Sequence, residues 1–265
     1  MRILITNDDG IHAPGLVVAE DIAREIAGPA GEVWVVAPMA ENSGVGHCIS
    51  YTKPVRSEKL GDTRFSVDGT PADCVLVALG GLMRDTPPDL ILSGVNAGNN
   101  SAENTLYSGT VGATIEGVLH GIRSIALSQY FGPGTQSLDD MFEVARAHGP
   151  GLVARLLERG IWHDDPYGIF YNVNFPPCSA ARVAGTDITV QGRRPDVNFT
   201  ATPYDAPNRR KYYWIHGQGQ HVASAPGSDA HANLDNRISV TPCRADLTAH
   251  DMVARLGDLF AEGAG

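Results

Sequence analysis

The sequence predicts an α/β protein in which helices cover both faces of a doubly wound, mostly parallel sheet. Two patterns predict it: short, continuously apolar segments typical of buried parallel strands, and segments between them with apolar residues at helical spacing. The 265 residues, 43% hydrophobic and 19% charged, suffice for a sizeable core and differ from a disordered chain or a coiled coil. At about 150 residues per domain, the length allows one or two domains.

Strands and helices are predicted to alternate through the first half of the chain. The strands are expected at 3–6, 32–37, 89–93 and 124–128, each a short apolar run. The helices are expected at 16–26, 74–82 and 111–119, each with an apolar stripe. Gly28-Pro29 ends the first helix and Pro87-Pro88 ends the second, since proline does not continue a helix. This order predicts parallel strands joined by helical crossovers.

The second half of the chain departs from this alternation. A long helix is expected at 139–159, broken or kinked by Gly149-Pro150-Gly151. Further strands are expected at 170–175, 211–216 and 237–241, with a last helix at about 247–260. The segment 190–230 is rich in Gly, Pro, Asn and Arg, and we interpret it as a β-hairpin that leaves the sheet and forms an oligomer contact.

The acidic composition limits the classes of function. Lys and Arg number 20 against 30 Asp and Glu, which gives a net charge of -10 and a pI near 5.3. This argues against binding to nucleic acid duplexes, which requires a basic face, but permits a small phosphorylated substrate when a metal ion supplies positive charge. No apolar run reaches the roughly 18 residues of a membrane span, so no membrane partner is expected.

The cysteines and the first residues predict a cytoplasmic protein. Cys48, Cys74, Cys178 and Cys243 are widely spaced and form no CxxC pair, which argues against a zinc ribbon and a disulfide framework. Reduced thiols suit the cytosol. The sequence opens on a strand-like run without the charged and apolar regions of a signal peptide, so secretion is not expected.

Polar residues follow three of the predicted strands, at the carboxyl edge where doubly wound sheets bind ligands. The first group is Asn7-Asp8-Asp9-Gly10, whose adjacent carboxylates are unfavourable to bury without a cation between them. Mg²⁺ and Mn²⁺ take oxygen ligands and would meet that need. The alternative is a tight turn in which Asp caps the backbone and Gly10 adopts a positive φ.

Two further loops at this edge offer neutral oxygen ligands and close backbone approach. Ser43-Gly44 follows the second strand and offers a hydroxyl and backbone N–H groups to a metal or an anion. Asn96 and Gly98 follow the third strand, where an amide carbonyl would complete a carboxylate site. Each loop read alone is equally compatible with an ordinary turn.

The segment Ser108-Gly109-Thr110 enters a predicted helix. Hydroxyls and free N–H groups at a helix N-terminus form a phosphate site, although an N-cap alone gives the same pattern. The sequence has no Walker GxxxxGK[ST], GxSxG or HExxH motif, and no GxGxxG follows the first strand. Together, the carboxylates, Ser, Asn and helix N-terminus predict metal-assisted phosphoryl chemistry at one edge of the sheet.

Five motifs in one order resemble a known family. They are Met1-Arg-Ile-Leu-Ile-Thr-Asn-Asp-Asp-Gly-Ile-His-Ala-Pro-Gly-Leu16, Val36-Ala-Pro38 with Ser43-Gly44, Gly69-Thr-Pro-Ala-Asp-Cys74, Ser93-Gly-Val-Asn-Ala-Gly98 and Tyr107-Ser-Gly-Thr-Val111. They resemble the SurE family of survival-protein nucleotidases, over nearly the whole chain and most closely over 1–120. The resemblance implies a Rossmann-like three-layer α/β/α fold in a single domain over 1–265. Within it, a core with active-site loops at 1–130, a β-hairpin extension at 190–225 and an exchanged C-terminal helix in an oligomerisation segment at 240–265 are implied.

The resemblance also implies a function, the divalent-metal-dependent hydrolysis of nucleoside monophosphates, in which a metal-activated water attacks phosphorus. Such a 5′- or 3′-nucleotidase would carry one Mg²⁺ or Mn²⁺ ion per subunit and form homodimers or homotetramers. By analogy, Asp8 and Asp9 would be catalytic. The metal ligands would be Asp8, Asp9, Ser43 and Asn96. The residues that bind substrate phosphate would be Gly44, Asn96, Ser108, Gly109 and Thr110.

The sequence is also compatible with three functions other than a nucleotidase. Asn99-Asn100-Ser-Ala-Glu-Asn104 and Thr114 depart from the family pattern, which leaves room for a specialised phosphorylated metabolite as substrate. An aspartyl-phosphate phosphatase would use Asp8 as nucleophile, although its expected DxD spacing is absent. A non-catalytic nucleotide- or phosphate-binding protein with the same fold would keep the same residues.

Overall fold

The computed structural model contains a nine-stranded mixed sheet and a separate two-stranded ribbon. It describes residues 1–163, 166–195, 197–205, 207, 210–222 and 224–261. The strands of the sheet are β1 (Arg2–Thr6), β2 (Glu32–Pro38), β3 (Ser57–Gly61), β4 (Arg64–Val67), β5 (Leu90–Ala97), β6 (Arg123–Gln129), β7 (Phe170–Phe175), β8 (Gly185–Ile188) and β11 (Arg237–Cys243). The ribbon consists of β9 (Thr200–Asp205) and β10 (Lys211–His216). The strand order of the sheet is β3-β4-β2-β1-β5-β6-β7-β11-β8.

The run from β4 to β7 is parallel throughout. β3 pairs antiparallel with β4, and β11 pairs antiparallel with β7, so antiparallel pairing is confined to the two flanks. The predicted alternation of strands and helices is therefore confirmed for the parallel part, because each crossover between parallel strands needs a connection of helix length.

Helices lie on both faces of the sheet. They are α1 (Pro14–Ala27), α2 (Pro71–Val77), α3 (Gly109–Leu119), α4 (Glu143–Arg159), α5 (Asp229–Leu234) and α6 (His250–Ala261). Ile3 and Ile5 pack in the core that includes Leu16 of α1, whereas Leu4 packs with Val75 of α2 in the core on the other face. Alternate residues of one strand thus face opposite helix layers, which makes the fold a three-layer one.

Two predicted element boundaries are corrected by the structure. β5 continues to Ala97, so Asn96 lies within the strand, after an irregularity in its pairing with β6, and not in a loop beyond Ser93. α4 begins at Glu143 and runs through Pro150 without interruption. The expected break is therefore absent. Gly149 lets α4 lie close to α1, since a Cβ there would be 2.6 Å from Ile22 Cδ1.

The polar flank elements β3, β8 and α5 were not predicted. All but one residue of β3 is exposed, and its sequence has no apolar run, since an edge strand packs little of its surface. The helix expected at 74–82 also differs, because α2 starts earlier, where Thr70 and Asp73 form a capping box, and Ala78–Leu82 is a wider π-helical turn.

The ribbon and α6 correspond to the predicted hairpin and last helix. β9 pairs antiparallel with β10 in register Tyr212↔Tyr204, and every residue of the ribbon is exposed. Residues 196, 206, 208, 209 and 223 of the expected extension, and 262–265 of the expected C-terminal segment, lie outside the described residues. Over the part of the chain that is described, no helix has the length and apolar character needed to cross a membrane.

Candidate functional site

The order of the parallel strands within the sheet brings the segments after three of them together at its carboxyl edge. β1 lies between β2 and β5, so the residues after each strand are neighbours. The Asn42 amide, after β2, donates to the Asp8 carbonyl at 2.7 Å. The Ala97 amide, at the end of β5, donates to Asp9 Oδ2 at 3.0 Å. The predicted meeting of these loops is therefore observed as direct hydrogen bonds.

The turn after β1 is closed by Asn7 and not by an aspartate. Asn7 Oδ1 accepts from the Gly10 amide at 3.2 Å, and Asn7 Nδ2 donates to the Gly10 carbonyl at 2.9 Å. Gly10 has a φ of 101°, which a side chain would strain. The tight turn and the acidic site are thus compatible, because the asparagine satisfies the turn and leaves both carboxylates available.

Asp8 is a buried carboxylate held by the start of α3. Its side chain accepts from Thr110 Oγ1 at 2.6 Å and from the Thr110 amide at 3.2 Å. Burial raises the pKa of Asp8 to about 6, with a smaller contribution from Asp9 and against the Thr110 hydrogen bonds. Neutral donors at a helix N-terminus therefore hold this group in place without neutralising it.

Asp9 is half-buried next to Asp8. Burial raises its pKa above the ordinary value, the Ala97 amide opposes that shift, and Glu41 adds to it. Among the residues described, no lysine or arginine lowers the pKa of either Asp8 or Asp9. Two adjacent carboxylates without a cationic partner favour a site for a positive ion.

Ser43, Gly44 and Asn96 line the same cavity as Asp8. Asn96 Nδ2 donates to the Gly98 carbonyl at 2.9 Å, so its Oδ1 is the atom available to a ligand. Ser43 is exposed, and its hydroxyl donates to Glu41 Oε1 at 2.9 Å. Gly44 has a φ of 78°, and a Cβ there would meet nothing within 4 Å.

The residues at the start of α3 have different surroundings. Ser108 lines the cavity and caps the helix, its Oγ accepting from the Val111 amide at 3.0 Å. Gly109 lies against Asp8, since a Cβ there would be 2.9 Å from Asp8 Cβ. Thr110 is fully buried, and its hydroxyl is engaged by Asp8. In the described structure this side chain therefore positions Asp8, and the expected phosphate contact through Thr110 stays a prediction.

The donor set fits a hard divalent cation. Its candidate ligands are two carboxylates, a serine hydroxyl and an asparagine carbonyl, all oxygen donors, which suits Mg²⁺ or Mn²⁺ better than a softer ion. Within the described ranges, no cluster of three or more His, Cys, Asp or Glu side chains is arranged to hold a metal. A cation here would therefore depend on the neutral oxygens of Ser43 and Asn96 as well as on the aspartates.

The cavity measures about 260 Å³ and has further lining residues. Asn99, Asn100, Asn104 and Tyr107 belong to segments that the sequence analysis singled out without giving them a role in the site, whereas Phe199 and Gln220 were missed. Phe199 and Gln220 belong to the stretch between β8 and α5, at least 80 residues beyond the end of α3 in the sequence. No local pattern marks them, because an isolated aromatic or amide in a Gly- and Pro-rich segment carries no periodicity.

The fold and the site together define a class: doubly wound α/β proteins with an acidic pocket at the carboxyl edge of parallel strands. A family model described as survival protein SurE matches residues 3–198. A protein from Ruegeria sp., named 5′-nucleotidase SurE, is 59% identical over 256 residues, covering 97% of this chain and 98% of the relative. One of the same name from Cereibacter sphaeroides is 57% identical over 260 residues, covering 98% and 100%.

The solved structures agree with the sequence comparisons. The crystal structure of the SurE protein from Aquifex aeolicus is similar to this fold with a TM-score of 0.79 and 33% sequence identity, over 98% of this chain and 99% of that one. This likeness confirms the predicted Rossmann-like three-layer architecture. The chain belongs to the SurE family.

Proposed function

We propose that this protein is a hydrolase, a 5′-nucleotidase that releases phosphate from nucleoside monophosphates. The observation that carries the proposal is one cavity lined both by the buried carboxylate Asp8 and by Ser108 at the N-terminus of α3. Phosphomonoester hydrolysis requires ligands for a cation next to hydrogen-bond donors for the phosphate anion. The relatives named 5′-nucleotidase SurE, at 57% and 59% identity over nearly the full chain, support this activity.

The metal is part of the proposal. Asp8, Asp9, Ser43 and Asn96 would hold one Mg²⁺ or Mn²⁺ ion per subunit. When bound, such an ion neutralises phosphate charge and polarises the phosphoryl group. This assignment is supported by the donor chemistry of these four side chains and by the buried Asp8 and half-buried Asp9, whose pKa values no lysine or arginine among the described residues lowers.

The chain's own residues supply orientation and proton transfer. Asp8 lines the cavity and, as a carboxylate, accepts a proton from the attacking water, with Asp9 beside it. Ser108 accepts the Val111 amide and so keeps its hydroxyl proton to donate to a phosphate oxygen. The Gly44 and Gly109 backbones allow the phosphate to approach closely. Thr110 contributes by fixing Asp8 with two hydrogen bonds.

The aspartyl-phosphate alternative would use Asp8 as nucleophile, and the sequence lacks the DxD spacing expected for it, since Asp8 and Asp9 are adjacent. The structure supplies no separate observation that favours this reading or a non-catalytic binding protein.

Phosphate release from 5′- and 3′-mononucleotides, measured with Mg²⁺, with Mn²⁺ and with chelator, tests the proposal. We expect release from 5′-mononucleotides in the presence of one of the metals and loss of release in chelator. Release only from non-nucleotide phosphomonoesters would assign a specialised metabolite instead. A folded protein that binds mononucleotide but releases no phosphate with either metal would contradict the enzyme assignment.

Gly109→Ala is expected to lower kcat/KM for nucleotide hydrolysis by about 10²-fold, because the new Cβ forces Asp8 away from its position and small misplacements have effects of that size. Steady-state kinetics measures the loss. Gly80→Ala is a matched control, since a Cβ there meets nothing within 4 Å. Equal, near-wild-type activity in both variants would show that the contact between Gly109 and Asp8 does not matter.

We also propose how copies of the chain associate and where they act. A single SurE-like domain would span 1–265, with its core at 1–130. The hairpin extension at 190–225 and the C-terminal segment at 240–265, which includes an exchanged α6, would join homodimers or homotetramers. Exposed apolar side chains support this, among them Trp214 at 68% and Val253 at 58% exposure. A cytoplasmic location stays a prediction from the sequence.

A further inference from the structure

The cavity contains an aromatic corner that the proposed phosphate chemistry does not use. Tyr107 and Phe199 both line it, and each is close to half exposed, at 45% and 46%. Their ring centroids lie 4.9 Å apart with an angle of 70° between the planes. A flat group that stacks on one ring therefore meets the other ring nearly edge to face, an arrangement that aromatic systems favour.

The corner is joined directly to the site. Tyr107 precedes Ser108, and its carbonyl accepts from the Gly46 amide at 2.9 Å, in the loop that carries Ser43 and Gly44. Phe199 is held from the other side, since a Cβ at Gly217 would lie 3.5 Å from Phe199 Cε1. The aromatic surface is thus a continuation of the phosphate-facing wall.

A buried arginine supports the segment that carries Phe199. The side chain of Arg194 is 1% exposed and pairs with Glu103 at 2.8 Å. Arg194 also donates to the Ser101 carbonyl at 2.8 Å and to the Gln220 carbonyl at 3.1 Å. A buried ion pair with these additional hydrogen bonds ties the stretch on both sides of Phe199 to the residues after β5.

The amide side chains near the corner are occupied with one another. Gln220 Oε1 accepts from Asn99 Nδ2 and from Asn104 Nδ2, each at 2.8 Å. Gln220 Nε2 donates to Asn104 Oδ1 at 3.3 Å, and Asn99 Oδ1 accepts from Ser101 Oγ at 2.8 Å. These side chains therefore stabilise one side of the cavity and have few free donors or acceptors left to form hydrogen bonds with the edge of a ligand.

We propose that Tyr107 and Phe199 form a nucleobase subsite that binds the flat face of the base by stacking while the phosphate occupies the acidic end of the same cavity. This inference rests on the proposed nucleotidase function and deepens it. Every base has a π face, whereas the braced amides discriminate poorly between base edges. The subsite therefore favours nucleotides over sugar phosphates and accepts purines and pyrimidines alike.

The test compares kcat/KM for 5′-AMP with kcat/KM for ribose 5-phosphate, which has the same phosphate and sugar but no base. The wild-type ratio is expected to be well above one. Phe199→Leu keeps apolar bulk but removes the π face, and we expect it to lower the ratio about tenfold, mainly through KM for AMP. Phe199→Tyr restores stacking and is expected to keep the ratio within about twofold of wild type.

Tyr204→Leu is the matched control, because Tyr204 is an aromatic of similar exposure, at 50%, in β9 and outside the cavity lining. It is expected to leave both kcat/KM values as in wild type. A wild-type ratio near one, or a Phe199→Leu ratio equal to wild type while AMP is still hydrolysed, overturns the subsite. Failure of the wild-type protein to release phosphate from any nucleotide overturns the proposed function itself.

Discussion

Replacing Asp8 by Asn is expected to lower kcat for 5′-mononucleotide hydrolysis by about 10³-fold. The carboxylate is the cavity-lining charge of the acidic pair, and losing roughly 4 kcal/mol of charge stabilisation corresponds to three orders of magnitude at about 1.4 kcal/mol per tenfold. Asparagine keeps the shape of the side chain. Since burial raises the pKa of Asp8 and so already disfavours its charge, the substitution is not expected to unfold the chain. Steady-state kinetics with circular dichroism on the same samples checks both statements.

Two further variants make this result specific. Asp9→Asn retains an oxygen to accept the Ala97 amide and is expected to show a loss of similar size. Asp68→Asn removes an exposed carboxylate that follows β4 at the same edge of the sheet but does not line the cavity. Asp68→Asn is expected to be as active as wild type. Wild-type kcat in a folded Asp8→Asn variant would remove Asp8 from the reaction.

Divalent metal is expected to raise the midpoint of thermal unfolding by about 5–10 °C relative to chelator. Saturation to about 100 times Kd stabilises the folded state by ~2.7 kcal/mol, and 1 kcal/mol corresponds to about 2–4 °C for a chain approaching this length. The cation relieves the unfavourable burial of two adjacent carboxylates, which no neighbouring lysine or arginine offsets in the described structure. Differential scanning fluorimetry with Mg²⁺, Mn²⁺ and chelator measures the shift without reference to activity.

The Asp9→Asn variant separates this site from any other cation site. It removes one candidate ligand charge, so its metal-dependent shift is expected to fall by more than half, while Asp68→Asn keeps the full shift. Sodium chloride at matched ionic strength controls for general screening. An equal shift in wild type and Asp9→Asn would place the cation elsewhere in the protein.

Local sequence signals were sufficient for the parallel half of the fold and for the acidic pair. Apolar strand segments such as 3–6 bury side chains on both faces, so they stand out as uninterrupted runs. Because parallel strands all end at one edge, the residues after them converge whatever the details of the loops. Asp8 and Ser43 therefore line one cavity, as the order of elements predicts.

The roles of side chains within that edge depended on the three-dimensional packing. Asn7 closes the turn that the sequence would equally assign to an aspartate, and the Thr110 hydroxyl donates to Asp8, a contact that the sequence did not predict. Both contacts depend on the direction of a side chain, which decides which of several groups a few ångströms apart it reaches. A one-dimensional pattern specifies the residue type and the element but not that direction.

What the sequence determined by itself is the parallel part of the sheet and the polar residues that meet at its carboxyl edge. Only the tertiary structure decided that β5 carries Asn96, that the exposed strand β3 joins the sheet, and that Phe199 and Gln220 close the cavity. The physical reason is the distance along the chain over which each kind of interaction acts. Periodicity and capping act over a few residues, whereas these placements depend on contacts such as Arg194 with Glu103, which join segments some 90 residues apart in the chain.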